Sequence, residues 1–144
     1  MTTSTDPATA ASLPQRLDAI WRDRPEYEGL AAVVGAIAAA AAAVEALTRS
    51  AALADVLGST GETNVQGEVV QRLDAEGTRA FVDSLSACPR VAALACEELE
   101  EAVLVGDGEG RDYFALFDPV DGSSNIDVAV TIGSIFALYR RAPG

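Results

Sequence analysis

Large apolar residues recur at helical spacing through the first half of the chain and in short unbroken runs through the second. Leu30, Val33, Val34, Ile37, Val44 and Leu47, with Leu53 beyond, fall three, four and seven apart, the spacing of one helical face. This stripe predicts a long helix from about Glu26 to Leu57. Its opposite face is nearly all alanine, which favours helix and permits close approach, so the helix is expected to be covered on both sides, the second by another subunit. A shorter helix is predicted over Leu13–Trp21, ahead of a charged break at Arg22–Pro25. Gly58 to Gly61 reads as a loop, and Thr63 or Asn64 caps a second long helix from Val65 to about Ser86. Its core stripe is Val69, Leu73, Phe81 and Leu85, with Gly77 a weak point in the middle turn.

After Pro89 the period changes. Val91–Cys96, Ala102–Val105, Tyr113–Phe117 and Ile135–Tyr139 read as strands, with Gly106–Gly110 a tight loop between two of them. Helices first and strands second predict an α+β or layered α/β unit, with long helices packed on a mainly antiparallel sheet. Met1 to Ala11 is rich in Thr, Ala and Ser and lacks the basic start and apolar core of a signal peptide. Residues 1–12 are expected to form a disordered arm and 13–144 one folded region.

Composition narrows the chemistry. The net charge of −12 argues against nucleic-acid and anionic-membrane binding, which need a basic surface. The uncharged run Gly29–Val44 is shorter than the roughly 20 residues of a membrane span and reads as a buried helix. The chain has no histidine, which excludes Ser-His-Asp and Cys-His catalysis and histidine-ligated zinc. Cys88 and Cys96 form no CxxC pair and read as small buried hydrophobes of a protein in the reducing cytoplasm.

The acidic residues gather in three places: Glu68 with Asp74, Glu97-Glu98 at the end of an apolar run, and Asp118 with Asp121 around Pro119. Each has a plain alternative, as solvated helix residues, a solvated acidic edge, or a simple turn. A turn alone does not explain why the apolar run Tyr113–Phe117 leads straight into Asp118. Converging carboxylates suit magnesium, which takes carboxylate oxygens, water and a substrate phosphate. Two such ions, about 3.5–4 Å apart, need a bridging carboxylate. On a strand, Glu97 and Glu98 point to opposite sides, so one can ligate and the other accept a water proton. Pro119 fixes the backbone, and Gly122 lets it approach a ligand. Ser123, Ser124 and Asn125 suit a short helix start whose free N–H groups can seat a phosphate.

The stretch Asp118–Asp127, Asp-Pro-Val-Asp-Gly-Ser-Ser-Asn-Ile-Asp, closely resembles the signature of class 1 fructose-1,6-bisphosphatase, one of the magnesium-dependent, lithium-sensitive sugar and inositol phosphatases. Asn64–Glu68, Leu73-Asp74, Glu97-Glu98 and Thr131–Arg140 resemble the family in order and spacing, so the likeness covers about Glu28 to Arg141. It implies the N-terminal part of the sugar-phosphatase fold, incomplete at the C-terminus. It implies Glu97, Asp118, Asp121 and the Val120 carbonyl as ligands of magnesium (or manganese), with Glu68 near a further metal position. Glu98 and Asp74 would activate water or relay its proton, and Gly122, Ser123 and Ser124 would hold the 1-phosphate. The implied reaction is hydrolysis of fructose 1,6-bisphosphate to fructose 6-phosphate and phosphate, in gluconeogenesis or the Calvin cycle, by a cytoplasmic homo-oligomer that is a tetramer in full-length relatives.

Departures shape the expectation. Full-length relatives are more than twice as long, and their C-terminal half supplies a further metal ligand and the sugar-binding residues. The isolated chain is therefore expected to be inactive, and to leave an unpaired sheet edge and an exposed apolar layer. Gly29–Ala32 lacks the threonines used for AMP binding in some relatives, although Tyr113 and Arg140 match other parts of that site, so AMP regulation is expected to be weak or absent. Rival readings are a sedoheptulose-1,7-bisphosphatase, an inositol-type phosphatase, or a non-catalytic remnant that binds intact subunits.

Overall fold

A computed structural model describes residues 11–58, 64–106, 110–122 and 131–142, and the side chains of these except at 51–58 and 64–71. The described elements run α1 (Leu13–Trp21), a 3-10 turn (Pro25–Tyr27), α2 (Leu30–Gly58), α3 (Asn64–Ala87), β1 (Val91–Cys96), β2 (Val103–Leu104), β3 (Tyr113–Asp121) and β4 (Gly133–Arg140). A reciprocal cap opens α1: the Ser12 N–H donates to Gln15 Oε1 at 2.8 Å, and the Gln15 N–H points back to Ser12 Oγ.

The long helix starts later than its apolar stripe predicts. Glu28 is drawn out of the helical ladder because its carbonyl accepts from the Tyr113 hydroxyl at 2.8 Å and from Arg90 at 3.2 Å. Gly29 turns the chain at a φ of 77°, and α2 begins at Leu30. Val33, Ile37 and Val44 of the stripe are buried, while Ala32, Ala39, Ala42, Ala43 and Ala46 on the alanine side are exposed. By length and composition alone, the apolar part of this helix reaches what a membrane span requires, longer than the uncharged run suggests. Its stripe instead belongs to the core shared with α3 and the sheet, and Glu45 and Arg49 pair on its exposed side.

The sheet has the order β2-β1-β3-β4. β1–β2 and β3–β4 are antiparallel and the central pair β1–β3 is parallel, so the sheet is mixed, with antiparallel pairings in the majority. Ala102–Val105 shortens to two residues, β4 gains residues at both ends, and β3 continues past Phe117 to Asp121.

Helices cover one sheet face. Phe81 of α3 stacks on Phe117 at 5.1 Å between ring centroids, and Leu85, Leu94, Tyr113 and Ala115 are buried with them. Side chains alternate along β3, so Phe114, Leu116 and Asp118 belong to the other face. Cross-strand partners share a face. Tyr139, Ala137 and Ile135 of β4 and Leu104 of β2 therefore lie on that second face too.

Candidate metal and phosphate site

Regular strand geometry would send Asp118 and Asp121, three residues apart, to opposite faces. The pairing shows how the chain avoids this. Asp118 is opposite Ile135 and Asp121 is opposite Gly133, so β3 spends three residue steps where β4 spends two. This is a β-bulge, and the extra residue returns Asp121 to the face of Asp118. Pro119 suits the bulge because it has no N–H to offer a ladder. Pro119 and Val120 are both buried, and both press toward the helices. The Ser134 hydroxyl donates to the Pro119 carbonyl at 2.7 Å, and the Val120 N–H donates to Asp118 Oδ1 at 3.0 Å. Gly122, at a φ of 87°, then turns the chain out of the strand.

Gly77 of α3 makes room for the bulge. A Cβ there would stand 2.8 Å from Val120 Cγ2 and 3.5 Å from Pro119 Cβ. One residue on, buried Thr78 faces the Cys96 thiol at 4.0 Å, at the end of β1. Asp74 is half-buried on this side of α3, one turn nearer its start.

The parallel pairing of β1 and β3 brings their carboxyl ends to one edge. Glu97 follows β1 directly, and its N–H donates to the Phe117 carbonyl at 3.3 Å, which sets it beside Asp118. Glu97 and Glu98 stand in the turn after β1, closed by the Leu99 N–H on the Cys96 carbonyl. Strand alternation, expected to point them to opposite sides, therefore does not apply to them. Both are exposed. Burial first, and the nearby Glu98 and Asp118 charges after it, push the Cys96 thiol up, partly offset by the Glu98 N–H and Thr78.

The ion pairs described involve none of Glu97, Glu98, Asp118 and Asp121. The donor chemistry, carboxylate oxygens and the Val120 carbonyl, fits a hard divalent cation rather than a soft one. Among the described residues, no three acidic or thiol side chains converge closely enough to hold a metal ion. The Glu68 side chain lies outside the described residues, as do Ser123 and Ser124. Gly77, Thr78 and Ser134 were not legible as site residues: their contacts cross from one element to another, and only the glycine in mid-helix leaves a trace in the sequence.

The model of the family described as fructose-1-6-bisphosphatase, N-terminal domain, matches residues 19–143. A class 1 fructose-1,6-bisphosphatase of Neisseria meningitidis serogroup C is 41% identical over 135 residues, covering 89% of this chain and 41% of that protein. One from Persephonella marina is 46% identical over 121 residues, covering 83% of this chain and 38% of that protein. The crystal structure of Leishmania major fructose-1,6-bisphosphatase in holo form superposes with a TM-score of 0.70 at 31% identity, over 94% of this chain and 40% of that one. The chain thus spans about two fifths of the length of the relatives it matches.

Proposed function

Because this chain belongs to the fructose-1-6-bisphosphatase family, matching its N-terminal domain, we propose that it supplies the acidic part of a phosphomonoester hydrolase site. The substrate is fructose 1,6-bisphosphate, and the products are fructose 6-phosphate and phosphate. The bulge in β3 carries the reading, because it sets Asp118 and Asp121 on one face beside Glu97. A strand built only for packing has no need to turn two carboxylates the same way.

In this reading Glu97, Asp118, Asp121, the Val120 carbonyl and Glu68 hold magnesium, or manganese in its place. When bound, the metal supplies positive charge against the phosphoryl oxygens in an otherwise acidic site. Gly122, Ser123 and Ser124 bind the 1-phosphate. Water adds to phosphorus as the bond to the sugar's O1 breaks, and Glu98 and Asp74 accept the water proton and relay one to the departing O1, which leaves as a hydroxyl. The enzyme acts in gluconeogenesis or the Calvin cycle, in the cytoplasm and as a homo-oligomer, tetrameric like full-length relatives. Residues 13–144 are the N-terminal portion of its domain. Fructose bisphosphate is favoured over sedoheptulose bisphosphate and inositol phosphates by Asn125-Ile126-Asp127.

A second reading is a non-catalytic chain that binds an intact subunit. The lack of three converging acids among the described residues favours it. Calorimetric titration with magnesium or manganese, and phosphate release from fructose 1,6-bisphosphate, separate the two. The enzyme reading expects Asp118→Asn to weaken metal binding at least about tenfold, as loss of a carboxylate ligand should, and to abolish phosphate release where the wild type shows it. Unchanged metal binding in Asp118→Asn would sink the enzyme reading.

A further inference from the structure

At the bulge, β4 sets one residue, Ser134, against two of β3, Pro119 and Val120, between the pairs Asp118–Ile135 and Asp121–Gly133. The Pro119 carbonyl and the Val120 N–H belong to one peptide plane, and a side chain holds each end of it. The half-buried Ser134 hydroxyl donates to the carbonyl at 2.7 Å, and the N–H donates to Asp118 Oδ1 at 3.0 Å. A peptide is planar and stiff, so fixing its carbonyl fixes the direction of its N–H. That N–H in turn fixes the Asp118 carboxylate, which reaches forward over its own turn to accept it. Hydroxyl, peptide and carboxylate thus form one chain of hydrogen bonds, in which each bond polarises the next.

Packing alone does not set the tilt of this plane. Pro119 and Val120 are buried, and Val120 lies against α3 at Gly77, so both side chains are held. Proline fixes its own φ but not the ψ that follows, so the peptide between the two residues can still rotate. The two hydrogen bonds remove that freedom, and only the one from Ser134 comes from another strand. Asp118 Oδ1 is engaged by the backbone, and Oδ2 has no hydrogen-bond partner among the described residues.

We propose that Ser134 is a positioning residue for the metal site: through the 119–120 peptide it orients the Asp118 carboxylate toward the cation. The proposal rests on the reading of Asp118 as a metal ligand. Groups that hydrogen-bond behind a ligand fix its direction, and loss of one typically costs about 10–100-fold in metal affinity. The role needs a hydroxyl at this position, so threonine serves and alanine does not.

The test measures manganese binding, by the broadening of amide signals in NMR spectra, in wild type, Ser134→Ala, Ser134→Thr, Ser84→Ala and Asp118→Asn. Ser84→Ala is the structural control. Its hydroxyl also donates to a backbone carbonyl, that of Ala36 at 2.8 Å, but near the end of α3 that leads into the start of β1, away from Glu97. Ser134→Ala is expected to bind manganese about tenfold more weakly than wild type. Ser84→Ala and Ser134→Thr should bind it as wild type does. Without metal, exchange of the Val120 amide proton should quicken about tenfold in Ser134→Ala and stay unchanged in the other two serine variants. Unchanged Val120 exchange in Ser134→Ala, equal weakening of binding by the two alanine variants, or no rescue by threonine overturns the proposal; with Asp118→Asn still weakened, the enzyme reading stands. Wild type that binds no manganese, or Asp118→Asn that binds it as tightly as wild type, overturns the enzyme reading and the proposal with it.

Discussion

Replacing Gly77 by alanine sets two effects of opposite sign against each other. Alanine in a helix interior is worth about 1 kcal/mol over glycine, so a free helix would gain stability. In this protein the new methyl would stand 2.8 Å from Val120 Cγ2, inside any ordinary carbon contact, with Pro119 Cβ at 3.5 Å and Val44 Cγ2 at 3.6 Å behind it. Valine is stiff about χ1, and Val120 is only 4% exposed, so it has nowhere to turn. Overpacking of this kind costs about 1–3 kcal/mol. The net expectation is a loss of about 1 kcal/mol, or about 3 °C in melting temperature. Urea unfolding followed by circular dichroism measures it. Val120→Ala alone should cost about 1–3 kcal/mol as a buried truncation. In the double variant the overlap is gone, so the loss should fall short of the sum by about 1 kcal/mol or more. A Gly77→Ala protein more stable than wild type, with additive behaviour in the double variant, would refute the idea that this glycine exists to admit the bulge.

Other expectations follow from single contacts. Phe81→Ala removes a fully buried ring stacked on Phe117 and should cost about 3–5 kcal/mol in urea unfolding, enough to threaten cooperativity. Arg90→Ala loses bonds to the Glu28 carbonyl and to Asp112 Oδ2 at 3.0 Å; it should cost about 1.5–3 kcal/mol by urea unfolding, with Arg90→Lys a poor rescue because one ammonium cannot reproduce the fork. Ser134→Ala frees the Pro119 carbonyl and should cost about 1 kcal/mol by the same assay. Tyr113 ionises above its ordinary range, chiefly because it is buried. The neutral phenol is therefore favoured by folding, and its contribution is complete below the ordinary value of about 10 and lost as pH rises through the higher folded value. Stability between pH 9 and 12 should accordingly fall less steeply in Tyr113→Phe than in wild type; identical profiles would rule this out.

The regular part of the fold was legible because it obeys local periods. The helix Leu13–Trp21, the stripe from Val33 to Val44, and the run Val91–Cys96 all carry their structure in their own spacing. What failed was long-range. Asp118-Pro119 looked like the end of a strand because proline usually stops one, yet β3 runs through it; only the partner strand reveals the extra residue. Glu97 and Glu98 looked like strand positions because the apolar run before them is one, and the hydrogen bond that closes their turn has no signature in composition. Arg90 gave no signal at all. It lies 62 positions from Glu28, whose carbonyl it holds, and its Nε is buried without a partner, so its environment is made wholly by packing.

Strand direction explains why charge divides along the sheet. β1 and β3 are parallel neighbours, so the residues that leave them, Glu97 and Asp118 through Asp121, meet at one edge. The residues that enter them, Arg90 and Arg111-Asp112, meet at the other. Antiparallel β4 then delivers Arg140 to that second edge, where it pairs with Asp112 and Glu28 and donates to the Pro25 carbonyl at 2.7 Å. Had β1 and β3 been antiparallel, each acid would have faced an arginine, and the carboxylates would have been neutralised within the sheet. The parallel pair instead leaves Glu97, Asp118 and Asp121 at one edge, and none of the described ion pairs joins them to an arginine. The same pairing ties the arginine edge to the start of α2 through Glu28, so the helix layer is fastened at the end of the sheet remote from the acids.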